Sequence, residues 1–292
     1  MSVSLKLGVI CDGISRDLRH AIAVMDEVGL DYAELQFVGD TEVGDHSAQE
    51  IREIDQLLRD HGKPVSCLSR HIFAGLTTQN RPGDAAHGAH MDALKRVIDM
   101  AHVVGSPLVR IMTCKKEQIL WGHGGAEVWN VAHGAWDASL PLIAPALDVA
   151  RQAGVTLVVE TGNGTMVNSN WTARKMIDDL DAHDVLKILW DPANNCWCHE
   201  KAWPDGYEAA RGGYLGHVHI KDVHVDTPRA TLEVRPMGKG QLADQFGPIA
   251  DALRADRYEG VISFESVYRP AGGSFEDGLR AGIDCFKSHF AA

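Results

Sequence analysis

The chain has 292 residues, 45% hydrophobic and 23% charged, with a formal net charge of −12 when histidine is neutral. Such a composition suits a globular protein with a substantial core and argues against intrinsic disorder. The acidic balance disfavours a broad nucleic-acid surface, and no apolar run reaches membrane-spanning length.

Six cysteines (Cys11, Cys67, Cys114, Cys196, Cys198 and Cys285) are scattered along the chain rather than packed as in a small secreted domain. The N-terminal residues lack the apolar centre of a signal peptide. The expectation is a reduced, cytoplasmic protein with no membrane and no nucleic-acid partner.

In chain order, Leu5–Cys11 reads as a first strand ending at the Asp12-Gly13 turn. A helix over Ser15–Val28 stops at Gly29, and Tyr32–Val38 is a second strand with Glu34 and Gln36 on one face. A helix over Ser47–His61 leads to a third strand, Val65–His71. Residues 74–86 read as a loop, His87–Val104 as a helix, and Leu108–Thr113 as a fourth strand. Lys115–Asp137 shows little periodicity, although it carries Trp121, Trp129 and Trp136.

From there the alternation is plainer. Helix Leu140–Ala153 is followed by strand Val155–Glu160, helix Trp171–Leu180, strand Leu186–Asp191 and a weak helix near Tyr207–Ala210. Strand Tyr214–Asp222 comes next, then a long loop over residues 223–241, helix Ala243–Arg254, strand Gly260–Ser266 and helix Phe275–Phe290. Eight strand-plus-helix units imply parallel strands with right-handed crossovers. In this length they predict an α/β fold, a single (β/α)8 TIM barrel over residues 1–292. The first strand is not followed by Gly-x-Gly-x-x-Gly, which argues against a dinucleotide fold.

Barrel chemistry belongs at the C-terminal ends of strands. Four successive strands carry a metal-type residue there: Glu160, Asp191, His219 and Glu265. Roughly 30 residues separate the first three, about one βα repeat. Three carboxylates and one imidazole form a mixed O/N set suited to manganese, magnesium, cobalt or zinc. Each residue alone has an ordinary structural reading as a cap, a turn or an ion pair; the joint pattern does not.

These residues lie in Val158-Val159-Glu160, Trp190-Asp191-Pro192-Ala193-Asn194, His217-Val218-His219-Ile220-Lys221-Asp222 and Tyr258-Glu259-Gly260-Val261-Ile262-Ser263-Phe264-Glu265. Together with Gly238-Lys239-Gly240, they make the chain resemble the xylose isomerase-like superfamily, within it the sugar phosphate isomerase/epimerase group. The resemblance implies one divalent ion, manganese ahead of the others, on Glu160, Asp191, His219 and Glu265. It also implies that Glu160 and Glu265 act as an acid/base pair moving a proton beside a carbonyl. The implied substrate is a small carbohydrate. A lyase or dehydratase acting on a keto-sugar, keto-glycoside or keto-polyol is the alternative, and an apurinic endonuclease-like activity a remoter one.

Asn194 departs from the resemblance: epimerases of the group often carry a histidine there, whereas Asn can bind a hydroxyl but not titrate. Other candidate substrate contacts are Lys221, Arg110, Glu34 and His71; internal ion pairs account equally well for the first three. His217 is expected to be a hydrogen-bonded core imidazole, and Asp222, on the other strand face, to have a structural partner. Cys196-x-Cys198-His199 is a weak zinc signal and a candidate pocket wall with Trp197 and Trp203. Gly238-x-Gly240 is weak evidence for a phosphate site. Substrate choice is expected from the loops at 72–86, 115–139 and 195–210. Association into a homo-oligomer stays open.

Overall fold

In the computed structural model, which describes residues 4–116 and 134–291, eight parallel strands close into a barrel surrounded by helices. The strands are β1 (Lys6–Ile10), β2 (Tyr32–Leu35), β3 (Val65–Ile72), β4 (Leu108–Ile111), β5 (Thr156–Glu160), β6 (Leu186–Trp190), β7 (Leu215–Ile220) and β8 (Val261–Phe264). Each strand pairs with the next, and β1 completes the ring against β8, with Lys6 opposite Val261 and Val9 opposite Phe264. The α/β TIM barrel expected from the alternation is the fold observed.

The surrounding helices are α1 (Leu18–Val28), α2 (Ala48–Asp60), α3 (Ala85–Val104), α4 (Ala135–Ala153), α5 (Asn170–Asp179), α6 (Pro192–Cys196), α7 (Tyr207–Ala210), α8 (Phe246–Ala255) and α9 (Phe275–Phe290). Their ends follow local chemistry. Ser47 and Glu50 form a reciprocal capping box on α2, and Asp84 accepts the His87 N–H at the start of α3. Gly105 ends α3 at φ 69°, a left-handed conformation that glycine adopts without a Cβ penalty. The main core lies between the strands' outer faces and the helices, including Ile22, Met25, Leu94, Phe246 and Phe286. Among the described residues, no helix is long and apolar enough to cross a membrane.

Beyond shifts of a few residues at element ends, three departures from the sequence reading matter. The second strand stops at Leu35, and Phe37–Val38 instead forms a small hairpin with Thr41–Glu42. The strand expected over Tyr214–Asp222 ends at Ile220, and Asp222–Asp226 pairs with Thr231–Arg235 in a ribbon where a loop was expected. The turn at Asp222 has a clear cause. Its buried carboxylate accepts N–H bonds from Val223, Gly238, Gly240 and Leu242, tying the ribbon's base to the barrel. Helix α4 begins at Ala135 rather than at the expected Leu140, so Pro141 lies in its interior together with Pro145 instead of in its first turn. Trp121 and Trp129 lie outside the described residues.

Candidate metal centre

Alternation along the strands builds the site in two layers. Val158, Leu189 and Cys67 form a small apolar cluster with Leu108 packed against it. Two residues further along the same chain segments stand Glu160, Asp191, Ser69 and Arg110, so a polar layer follows the apolar one toward the mouth. Glu160 is the last residue of β5, Asp191 follows β6, His219 lies within β7, and Glu265 follows β8. Asp191 also caps α6, accepting from the N–H groups of Ala193 at 2.9 Å and Asn194 at 3.2 Å. Its place is thus fixed by the turn that Pro192 begins.

The structure brings these four together. One ligand atom from each of Glu160, Asp191, His219 and Glu265 lies within 4.8 Å of the other three. His219 is fully buried, and its Nε2 meets Glu34 Oε1 at 2.8 Å. That contact leaves Nδ1 facing Glu160 Oε1 at 3.6 Å and Glu265 Oε2 at 3.7 Å. Both distances are too long for a hydrogen bond, and buried Nδ1 has no partner. An unpaired buried nitrogen aimed at three carboxylates fits a divalent cation, which would complete its coordination and relieve the carboxylates' repulsion.

The charges around the centre are strongly coupled. Burial would raise the Glu160 carboxyl, but Arg110 Nη1, 2.8 Å from Oε2, holds it well below the usual range. Asp191 goes the other way. Burial, reinforced by repulsion from Glu265 and Glu160, pushes it up to about 6 against the pull of Lys221. The Lys221 ammonium bridges Asp191 Oδ2 at 2.5 Å and Glu265 Oε2 at 2.6 Å.

Beneath the mouth, Glu34 accepts from His217 Nε2 at 2.7 Å and from the Ser69 hydroxyl, besides His219. His217 also meets Ser263 Oγ at 3.2 Å. The Glu34–His217–His219 group is compact enough to hold an ion. Both Nε2 atoms already bond Glu34, so the group orients His219 by hydrogen bonds, while the buried Nδ1 of His217 has no partner. A register shift in the β2–β3 pairing falls between Ala33 and Glu34. Irregularities of that kind re-aim side chains beside functional sites.

A cleft of about 370 Å³ opens above the four residues. Of the candidate substrate contacts, Asn194, Lys221, Arg110 and His71 line it. Glu34 does not; it is fully buried below. Arg110 spends its guanidinium on Glu160 and on the Ser69 carbonyl at 2.7 Å. Asn194 donates to the Thr161 carbonyl at 2.9 Å, and His71 Nδ1 meets Glu42 Oε1 at 3.0 Å.

Sequence reasoning passed over Asp12, Asn163 and Phe275, which also line the cleft. Asp12-Gly13 was legible only as a turn, yet in a barrel any turn after a strand's C-terminal end is part of the mouth. Cys196, Trp197 and Trp203 do not line the cleft, and neither does any residue of 72–86 or 195–210. The short α6 carries those side chains away and leaves Asn194 as that part of the wall. The Gly238 and Gly240 N–H groups are already taken by Asp222, which removes them as a phosphate cradle. Trp136 is a core residue whose Nε1 donates to Asp179 at 2.6 Å. A larger hollow of about 560 Å³, around Tyr207, Arg211 and Asp256, lies by the N-terminal starts of β7 and β8, away from this chemistry.

Comparison with known proteins agrees with the architecture. The family model described as "xylose isomerase-like TIM barrel" matches residues 22–289. No curated protein matches the chain. Among solved structures, a D-psicose 3-epimerase from Clostridium cellulolyticum H10 superposes with a TM-score of 0.71 at 15% identity, covering 99% of this chain and 100% of that one. A 3-keto-D-glucoside 4-epimerase from E. coli gives a TM-score of 0.67 at 20% identity, covering 98% of each chain. A xylose isomerase-like TIM barrel protein from Mycobacterium smegmatis, in complex with magnesium, gives 0.64 at 18% identity over 99% of this chain and 98% of that one.

Proposed function

The chain belongs to the xylose isomerase-like TIM-barrel family, and from that premise we propose that it is a divalent-metal-dependent sugar isomerase or epimerase. The observation that carries this reading is the gathering of Glu160, Asp191, His219 and Glu265 at one barrel mouth, with the unpaired Nδ1 of His219 among the carboxylates. The sugar epimerases among its structural neighbours, and the neighbour that holds magnesium, support it.

The four residues would hold one divalent ion, with manganese first in order. When bound, the ion supplies Lewis-acid polarisation of a carbonyl and stabilises the negative charge that develops beside it. Glu160 and Glu265 supply the proton chemistry. Glu160, kept ionised and oriented by Arg110, would accept a proton from the carbon next to the carbonyl. Glu265, which follows β8 and lines the cleft, would return one to the other face. Asn194, His71 and Gln36 offer hydrogen-bonding groups to hydroxyls at the cleft wall.

Elimination from a keto-sugar is a second reading, favoured by Lys221. A departing hydroxyl or glycosyl oxygen needs a proton, and Lys221 is a protonated donor that reaches the cleft. Incubation with manganese and a panel of ketoses and 3-keto-sugars in deuterated water tests both readings. Deuterium next to the carbonyl is expected, and product connectivity separates epimer from elimination product. Full retention of protium across the panel would overturn the proton-transfer proposal.

A further inference from the structure

Lys221 bonds the same carboxylate oxygens that face the centre. Its Nζ lies 2.5 Å from Asp191 Oδ2 and 2.6 Å from Glu265 Oε2, and Glu265 Oε2 is also the atom turned toward His219 Nδ1. The other Asp191 oxygen is committed to the cap of α6. An ion that takes Asp191 Oδ2 and the Glu265 oxygen turned toward His219 would therefore sit against the ammonium and be repelled by it.

We propose that Lys221 is the resident cation of the metal-free centre, and that metal uptake displaces its ammonium into the cleft. The inference rests on the metal-site reading above. Lys221 is buried and paired in the arrangement described, yet it already forms part of the cleft wall, so the exchange asks only for rotation about its side-chain bonds toward that cleft. The exchange serves two ends. Without metal, three carboxylates at close range keep a positive partner and the mouth stays folded. With metal, the ammonium becomes a donor to substrate oxygen, so occupancy of the centre and readiness of the cleft are coupled.

Calorimetric titration of chelator-treated protein with manganese chloride tests the exchange, comparing wild type with Lys221→Met. Removing the competing cation is expected to tighten manganese binding on the order of tenfold. It is also expected to lower the thermal midpoint of the metal-free protein while leaving that of the loaded protein near wild type. A second measurement needs no variant. Reductive methylation of wild type, mapped by peptide mass spectrometry, is expected to spare Lys221 without manganese and to label it with manganese. Weaker or unchanged manganese binding in Lys221→Met, or Lys221 protection indifferent to manganese, would overturn the exchange while leaving the metal site standing. A wild-type protein that binds no divalent ion would instead remove the metal-site reading itself.

Discussion

Glu34 and His219 are 185 positions apart in the chain, yet Oε1 of the first meets Nε2 of the second at 2.8 Å inside the barrel. The contact selects a tautomer. Once the imidazole gives up its second proton to bind an ion, the carboxylate would hold the remaining one on Nε2 and leave the Nδ1 lone pair turned toward Glu160 and Glu265.

Glu34→Gln keeps the shape but removes the charge that enforces this orientation. We expect manganese affinity to fall roughly 10–100-fold with the fold intact, as for other carboxylates that orient a ligating histidine. Calorimetry beside circular dichroism reads the two quantities. Wild-type affinity in the variant would show that His219 is oriented by its packing alone.

Glu160→Gln and Glu265→Gln are each expected to abolish turnover, since an amide neither accepts nor returns the proton. Metal content has to be measured alongside. A variant that holds its metal and retains near-wild-type rates would defeat the acid/base assignment for that residue.

Metal uptake is expected to release a proton. In the metal-free protein burial pulls His219 down, but Glu34 and Glu160 outweigh it and raise the group to about 10. A pKa raised above its unfolded value stabilises the metal-free fold fully below about pH 6.5, and that stability is lost as pH climbs toward 10. Apparent metal affinity should accordingly rise with pH from about 6 to about 9. Titrations at about pH 7.5 in buffers of different ionisation enthalpy should show about one proton released per ion. Uptake without proton release would mean that His219 is already neutral.

Asp222 is a stability determinant rather than a reactant. Asp222→Ala leaves the N–H groups of Val223, Gly238, Gly240 and Leu242 without their acceptor, and we expect a loss of about 3 kcal/mol or more in urea unfolding. Gly240→Ala should be similarly harmful, because an added Cβ would run into the Asp222 carboxylate. A loss below about 0.5 kcal/mol in both variants would show the loop to be anchored elsewhere.

How much of this was readable from the chain depends on how local the signal is. The barrel was legible because each strand and helix writes its own period and its own stop, as at Gly29, Gly105 and Gly154. Glu160, Asp191, His219 and Glu265 were legible because the fold assigns one meaning to a strand's last residues. Glu34 was visible as an inward-facing acid, but its link to His217 and His219 was not, since nothing local connects β2 to β7. Lys221 stood open between substrate contact and ion pair for the same reason: its partners Asp191 and Glu265 come from two other strand ends. The ribbon after Ile220 escaped notice although Asp222–Asp226 and Thr231–Arg235 both alternate polar and apolar residues, because each is only five residues long and the signal is too short to separate from loop.

The seam where β1 meets β8 is the place where the two ends of the chain are sewn together. Glu34 belongs to the first quarter of the chain, and Glu265 arrives only with its final strand. A chain emerging from the ribosome therefore has no complete centre to offer until nearly all of it has been made. On the proposed metal-site reading, acquisition of the ion would be deferred to the end of synthesis, and a truncated product lacking the last strand would lack the fourth ligand.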